Sequence, residues 1–137
     1  MTLAELARIH AAAFAADRAW SAEELGSLLD GKHVQLHTHQ QGFALVSTVA
    51  GQSELLTLAV DPAHQRQGIA GILMAEWMAT ADAETAFLEV AADNLPAQAL
   101  YLKHGFAEHA RRRRYYKRAN GAAVDAVIMQ AALTRGQ

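Results

Sequence analysis

Residues 54–71 read ELLTLAVDPAHQRQGIAG, and this stretch decides the fold. Glu54–Val60 is a nearly continuous apolar run. A strand that does not alternate apolar with polar is one covered on both faces, as in the middle of a sheet with parallel pairs. Asp61-Pro62 ends it. From Gly68 the pattern turns helical, with Ile69, Ile72, Leu73, Trp77 and Thr80 on one side. TAFLEVA at 85–91 then reads as a second buried strand. Strand, helix, strand predicts a crossover between two parallel neighbours.

The flanks extend this unit. Leu3, Leu6, Ala7, His10, Ala11 and Phe14 recur at helical spacing and predict a helix over 2–15. Ser21-Ala22-Glu23-Glu24 is a capping box that starts another at 22–29. Strands are expected at 33–39 and 42–50 around a turn at Gln40–Gly42. After the second buried strand, Asn94 opens a helix with Pro96 in its first turn. It ends at His104, with Gly105 just beyond. Strands at 110–117 and 123–131 close a hairpin around Asn120-Gly121. The expected fold is a mixed α/β sandwich with one crossover helix, a single domain over 1–137.

Composition narrows the function. The 137 residues carry a formal charge of −2, so the chain as a whole is not drawn to polyanions. Basic character is concentrated, however. Residues 111–118 hold six of the twelve Lys and Arg and no acid, including the run RRRRYY at 111–116. There is no cysteine, which excludes disulfides, thiolate metal sites and a cysteine nucleophile. His37 and His39 share a strand face without a third clear ligand, so no metal is expected. MTLAELARIH has no basic segment leading into an apolar one, and no apolar run approaches the roughly 20 residues that span a bilayer. The chain is read as cytoplasmic.

The chemistry of QRQGIAG (65–71) lies in its backbone. Small residues at Gly68, Ala70 and Gly71 let a ligand approach the main chain. The first amides of the following helix have no intrahelical acceptor, and with the helix dipole they suit a pyrophosphate. The competing reading is that the small residues permit close helix–sheet packing. A Walker loop or a full GxGxxG is absent.

Gln65-x-x-Gly68-x-Ala70 resembles the Q/R-x-x-G-x-G/A signature of the GCN5-related N-acetyltransferases. LEVAADNLPAQALYLKHGF (88–106) resembles that family's strand–Asn–helix segment. RRRRYYKRANGAAVDAVIM (111–129) and Trp20-Ser21 are similar to its ribosomal-protein-alanine branch. The likeness covers about 14–133. Two departures stand out: the family's first strand is missing or very short here, and the crossover is about one turn shorter.

The resemblance implies a mixed sheet whose central strands splay around acetyl-CoA. Leu58, Ala59 and Val60 would bind the pantetheine arm through their backbone. Arg66, Gln67, Gly68, Ile69, Ala70 and Gly71 would bind the pyrophosphate, and Asn94 would also contact the coenzyme. Glu89 would be the base and Tyr101 the acid, with Glu54 next in line as base. Trp20 and Tyr115 would line the groove for a protein N-terminus, such as the alanine of a small-subunit ribosomal protein. Small-molecule amines, lysine, and a non-catalytic coenzyme-binding or RNA-associated role are the alternatives.

The residues allow blander roles as well. Glu89 fits a structural ion pair, Tyr101 a core aromatic and Asn94 a helix cap. On a strand, Arg111–Arg114 would alternate two and two between faces. They would then form a groove wall, a coenzyme-phosphate contact or a nucleic-acid patch. A basic acceptor would need acids opposite them, expected in the Asp17–Glu24 region.

Overall fold

The computed structural model describes residues 1–14, 20–118 and 120–133. Helices α1 (Leu3–Ala13) and α2 (Ala22–Leu29) come first. Each opens with a complete capping box, Thr2 with Glu5 and Ser21 with Glu24. Next come β1 (Val34–His39), β2 (Gly42–Val49), β3 (Gln52–Val60), α3 (Ile69–Thr80), β4 (Thr85–Ala91), α4 (Leu95–Lys103), β5 (Ala107–Lys117) and β6 (Ala123–Ala132). The six strands form one sheet in the order β1-β2-β3-β4-β6-β5. Only β3 and β4 are parallel neighbours.

One crossover helix was expected, and there are two. β6 is antiparallel to both β4 and β5, so β5 runs parallel to β4 with β6 between them. α4 therefore makes a second crossover that skips a strand. Strand order is set by long-range pairing, which local periodicity does not carry.

The two faces of the sheet bury separate cores. Ala44, Val46, Leu55, Leu88, Val90, Val127 and Met129 gather with Leu73, Met74 and Trp77 of α3 and Tyr101 of α4. Phe43, Leu45 and Ala59 gather on the other face with Leu6, Ile9 and Leu25 of α1 and α2. The buried stripe of α1 is Leu6, Ile9 and His10, whereas Leu3 is exposed, so it is rotated from the expected one.

Two strands depart from regular pairing. On β3, Leu45 faces Thr57 but Val46 faces Leu55, which makes Leu56 an extra residue. On β5, Arg112 faces Ala126 and Tyr116 faces Val124, so Arg113, Arg114 and Tyr115 share the single residue Asp125. The regular two-and-two alternation expected for Arg111–Arg114 is therefore broken. Arg114 lies at φ +54°, in the left-handed region.

Gly42 lets helix and sheet come close. A Cβ added there would stand 2.6 Å from Ile69 Cγ2 and 3.3 Å from Leu73 Cδ1. Gly42→Ala should therefore push α3 outward and cost about 1–3 kcal/mol, by overpacking. Denaturant unfolding of both proteins checks this, and equal midpoints would refute the close approach.

Candidate active site

β3 and β4 pair only over Gln52–Leu55 and Thr85–Leu88. Past that point β3 keeps β2 on one side, through Leu58, Ala59 and Val60, and has no ladder partner on the other. The extra residue Leu56 sits where pairing stops. A bulge bends its strand and strengthens the local twist, which accounts for the parting.

α3 starts beside the end of β3. Its N-cap is Gly68 at φ +78°, with no side-chain cap and no acid in the first turn. Arg66 is also left-handed, at φ +65°. Gln65 Nε2 donates to the Val60 carbonyl at 3.3 Å and ties the loop to the strand. A Cβ at Gly68 would meet nothing within 4 Å, and one at Gly71 only His104 Nε2 at 3.7 Å. Close packing therefore does not explain these glycines; that constraint falls on Gly42. Among the described residues, the helix terminus presents open amides of Ile69, Ala70 and Gly71 to the surroundings of the gap.

Glu89 lies on β4 just past the last parallel pair, partly buried. Its Oε1 forms an ion pair with Arg112 Nε at 3.1 Å. Alternation sets it on the face opposite Leu88 and Val90. Tyr101 packs with those two residues, tilted against Phe106 at 6.2 Å, and is 8% exposed. Burial, with a smaller contribution from Tyr116, pushes its hydroxyl up to about 12. The two expected catalysts thus approach β4 from opposite sides.

Tyr116 went unnoticed in the sequence, where Tyr115 drew attention. It is half-buried, and its pKa is raised by burial first and then by Glu89 and Tyr115, against Arg118 and Arg112. Tyr115 is more exposed. It lies under the Arg112 guanidinium at 5.0 Å and edge-on to Tyr116 at 5.3 Å. The only available signal was the hairpin register, which the bulge conceals. Glu54 is partly buried on β3, and its carboxyl is raised by burial and by Glu89, against Arg112.

The other expected residues take varied places. Asn94 Oδ1 accepts from the Ala97 amide at 3.2 Å and caps α4. Arg118 pairs with the adjacent Asp93 at 2.6 Å. Trp20 stacks on His10 at 5.0 Å, and its amide donates to His10 Nδ1 at 3.2 Å, which packs it into the α1–α2 core. Asp17, offered as a groove acid, lies outside the described residues. His37 pairs with Glu76 at 3.4 Å, and no three metal-binding side chains gather among the described residues. Shallow depressions of about 320 and 380 Å³ open elsewhere on the sheet and include none of these site residues. No described helix is long and apolar enough to cross a membrane.

Parallel strands that part beside a glycine-led, uncapped helix mark the chain as an N-acetyltransferase. The chain belongs to the Acetyltransferase (GNAT) family, whose model matches residues 8–106. It is 34% identical over 117 residues to the [Ribosomal protein bS18]-alanine N-acetyltransferase of Escherichia coli K12, covering 80% of this chain and 78% of the relative. It is also 34% identical over 133 residues to the N-alpha-acetyltransferase RimI of Mycobacterium tuberculosis, covering 90% and 82%. The crystal structure of the Escherichia coli ribosomal-protein-S18-alanine N-acetyltransferase superposes with a TM-score of 0.87 at 30% identity, over 98% of this chain and 90% of that one. Arabidopsis thaliana NAA60 in complex with acetyl-CoA shares the fold, at TM-score 0.78 and 20% identity, over 96% and 93%.

The raised Glu54 carboxyl has a linkage consequence. A carboxyl whose folded pKa lies above its unfolded one contributes stability at low pH and loses it as pH rises through the folded value. Glu54→Gln removes that loss. The variant should gain on the parent in thermal midpoint as pH climbs from 3 to 7. A constant difference across that range would contradict the assignment.

Proposed function

We propose that this chain, as one domain over 1–137, transfers the acetyl group of acetyl-CoA to the α-amine of a protein N-terminus. The acceptor is the N-terminal alanine of a small-subunit ribosomal protein, a substrate found in the cytoplasm. The observation that carries this reading is the gap beyond Leu55 and Leu88, with the uncapped start of α3 following β3 and Glu89 one residue past the last parallel pair of β4. The substrate named for the Escherichia coli relative supports the choice of acceptor.

Acetyl-CoA supplies an activated acetyl thioester. The chain's residues fit it in three ways. The backbone of Leu58–Val60 offers hydrogen-bonding groups on the side β4 has left. Arg66, Gln67, Gly68, Ile69, Ala70 and Gly71 form a loop and helix start suited to a pyrophosphate. Asn94 stands at the head of α4, its carbonyl oxygen used in capping.

Glu89 takes the proton from the acceptor's ammonium, through a water if the strand holds it too far away. The chain has no cysteine to carry the acetyl group, so the amine attacks the thioester carbonyl directly. Tyr101 assists the departing sulfur. With its hydroxyl pushed up to about 12 it is protonated at neutral pH; because complete transfer to a thiolate of pKa about 8.5 is uphill, Tyr101 acts by hydrogen-bonding the sulfur as the C–S bond breaks, with the proton replenished from solvent. Trp20 and Tyr115 are proposed to wall the acceptor groove. An α-amine of pKa about 8 is far more often neutral at pH 7 than a lysine of about 10.4, which favours protein N-termini where the base is modest.

Acetyl transfer to peptides with different first residues, read by mass spectrometry, tests the acceptor. An Ala-starting peptide should exceed an N-terminally blocked lysine peptide, and equal turnover of the two would overturn the assignment. Tyr101→Phe and Glu89→Gln should each lower kcat by about 10²–10⁴ with little change in acetyl-CoA affinity. The Glu89 variant should recover partly at high pH. Near-parental kcat in both would remove the pair and make Glu54 the next candidate base.

In Gly68→Val, a β-branched residue meets both the left-handed backbone and the approach of the pyrophosphate. Fold stability should fall by about 1–3 kcal/mol. Acetyl-CoA affinity should fall as well, and a folded variant that binds as tightly as the parent would remove the phosphate-loop role.

A further inference from the structure

Straight strand would carry Tyr116 out of reach of the site. Four residues of extended chain span about 13 Å and two about 7 Å. Between Arg112 and Tyr116 there are four steps along β5, yet they face Ala126 and Val124, only two steps apart on β6. The bulge absorbs the difference. Ala126 also faces Ala91, two residues along β4 from Glu89. Folding Arg113–Tyr115 out of the ladder thus draws Tyr116 back toward Arg112, where the Glu89 charge helps to raise its pKa. Without the bulge it would face residue 122, beyond the end of β6.

Asp125 holds the bulge. It is the single β6 residue opposite the three looped-out ones. Its Oδ1 accepts from the Arg114 amide at 2.9 Å, at the residue with φ +54°. Its Oδ2 accepts from Arg111 Nη1 at 3.5 Å, and Arg111 is gripped from its other side by Glu108 at 2.9 Å. The Asp125 carbonyl accepts from the Ala92 amide at 2.8 Å, which fixes this point of β6 to the end of β4. One residue therefore joins the bulge, its preceding arginine and the strand that carries Glu89.

We propose that Asp125 is a positioning residue for the acceptor side of the reaction: it pins the β5 bulge and thereby sets Arg112 and Tyr116 against Glu89. The proposal rests on the acetyltransferase reading for the identity of the reaction. It goes beyond that reading in assigning acceptor geometry to a carboxylate that touches neither substrate.

The test uses the full chain and whichever amine the parent acetylates, so that the identity of the acceptor is a separate result. Asp125→Ala should raise the acceptor KM about tenfold or more, leave the acetyl-CoA KM within twofold, and expose the Arg114 amide to hydrogen exchange. Asp125→Asn keeps an oxygen for that amide and should restore most of the acceptor KM. Arg114→Val disfavours the left-handed backbone from the other strand and should reproduce the Asp125→Ala phenotype. Arg114→Gly tolerates that backbone and should remain near the parent. These last two decide the matter should Asp125→Ala fail to fold. A folded Asp125→Ala or Arg114→Val with parental acceptor KM overturns the proposal. So does an equal loss in both substrates' KM values, or an Arg114 amide that exchanges freely in the parent.

Discussion

The site depends on one constraint: the parallel pairing of β3 and β4 lasts four residues and stops. Buried backbone amides and carbonyls are almost always paired, so a central sheet cannot open without a local cause and a use for the freed groups. The cause is the extra residue Leu56. Leu56 packs with the α1–α2 core beside Leu45 and Ala59, and the next residue, Thr57, bonds His10 of α1 at 3.2 Å. Two consecutive residues turn toward the same helices, and regular alternation is lost where β4 departs. α1 thus acts on the centre of the sheet through the bulge, although it lies on the face away from α3.

Charge around the opening is balanced locally. Arg111 is held by Glu108 and Asp125, Arg112 by Glu89, and Arg118 by Asp93. All but Arg118 and Asp93 lie on β4, β5 or β6; Arg118 directly follows β5 and Asp93 comes two residues after β4. Three of the six cations in 111–118 are thus paired with carboxylates, which lessens the continuous potential offered to a polyanion. Within RRRRYY, Arg112 is tied to the Glu89 carboxylate of β4. These pairs are largely exposed, so their value is in placing side chains rather than in stability.

Most of the elements were legible because each carries its own local signal. The capping box at Ser21, Gly105 at φ +92° after α4, and the apolar runs of β3 and β4 each reflect a short-range rule that the structure keeps. What was not legible arises from register. The second crossover depends on β6 inserting between β4 and β5. The loss of arginine alternation depends on Asp125 facing three residues. The rotation of α1 shows in Ile9, buried though outside the expected stripe, and in Leu3, within it yet exposed. At the site, Glu89 stood out because a carboxylate in an apolar strand is costly to bury without a partner. Tyr116 carried no comparable mark, since its position is set by a bulge in the partnered strand.

The two proposed catalysts occupy contrasting surroundings, and the sheet itself maintains the contrast. Tyr101 is enclosed by Leu88, Val90 and Phe106, which holds its proton on at neutral pH. Glu89 has the opposite face of the same strand, where α1 and α2 cover β1–β3 and leave β4 less enclosed. A donor must stay protonated until sulfur leaves, while a base must exchange protons with water or with the incoming amine. Pairs of groups held in such different environments are how a single site sustains acid and base roles together. Alternation along β4 separates the two environments by one strand thickness.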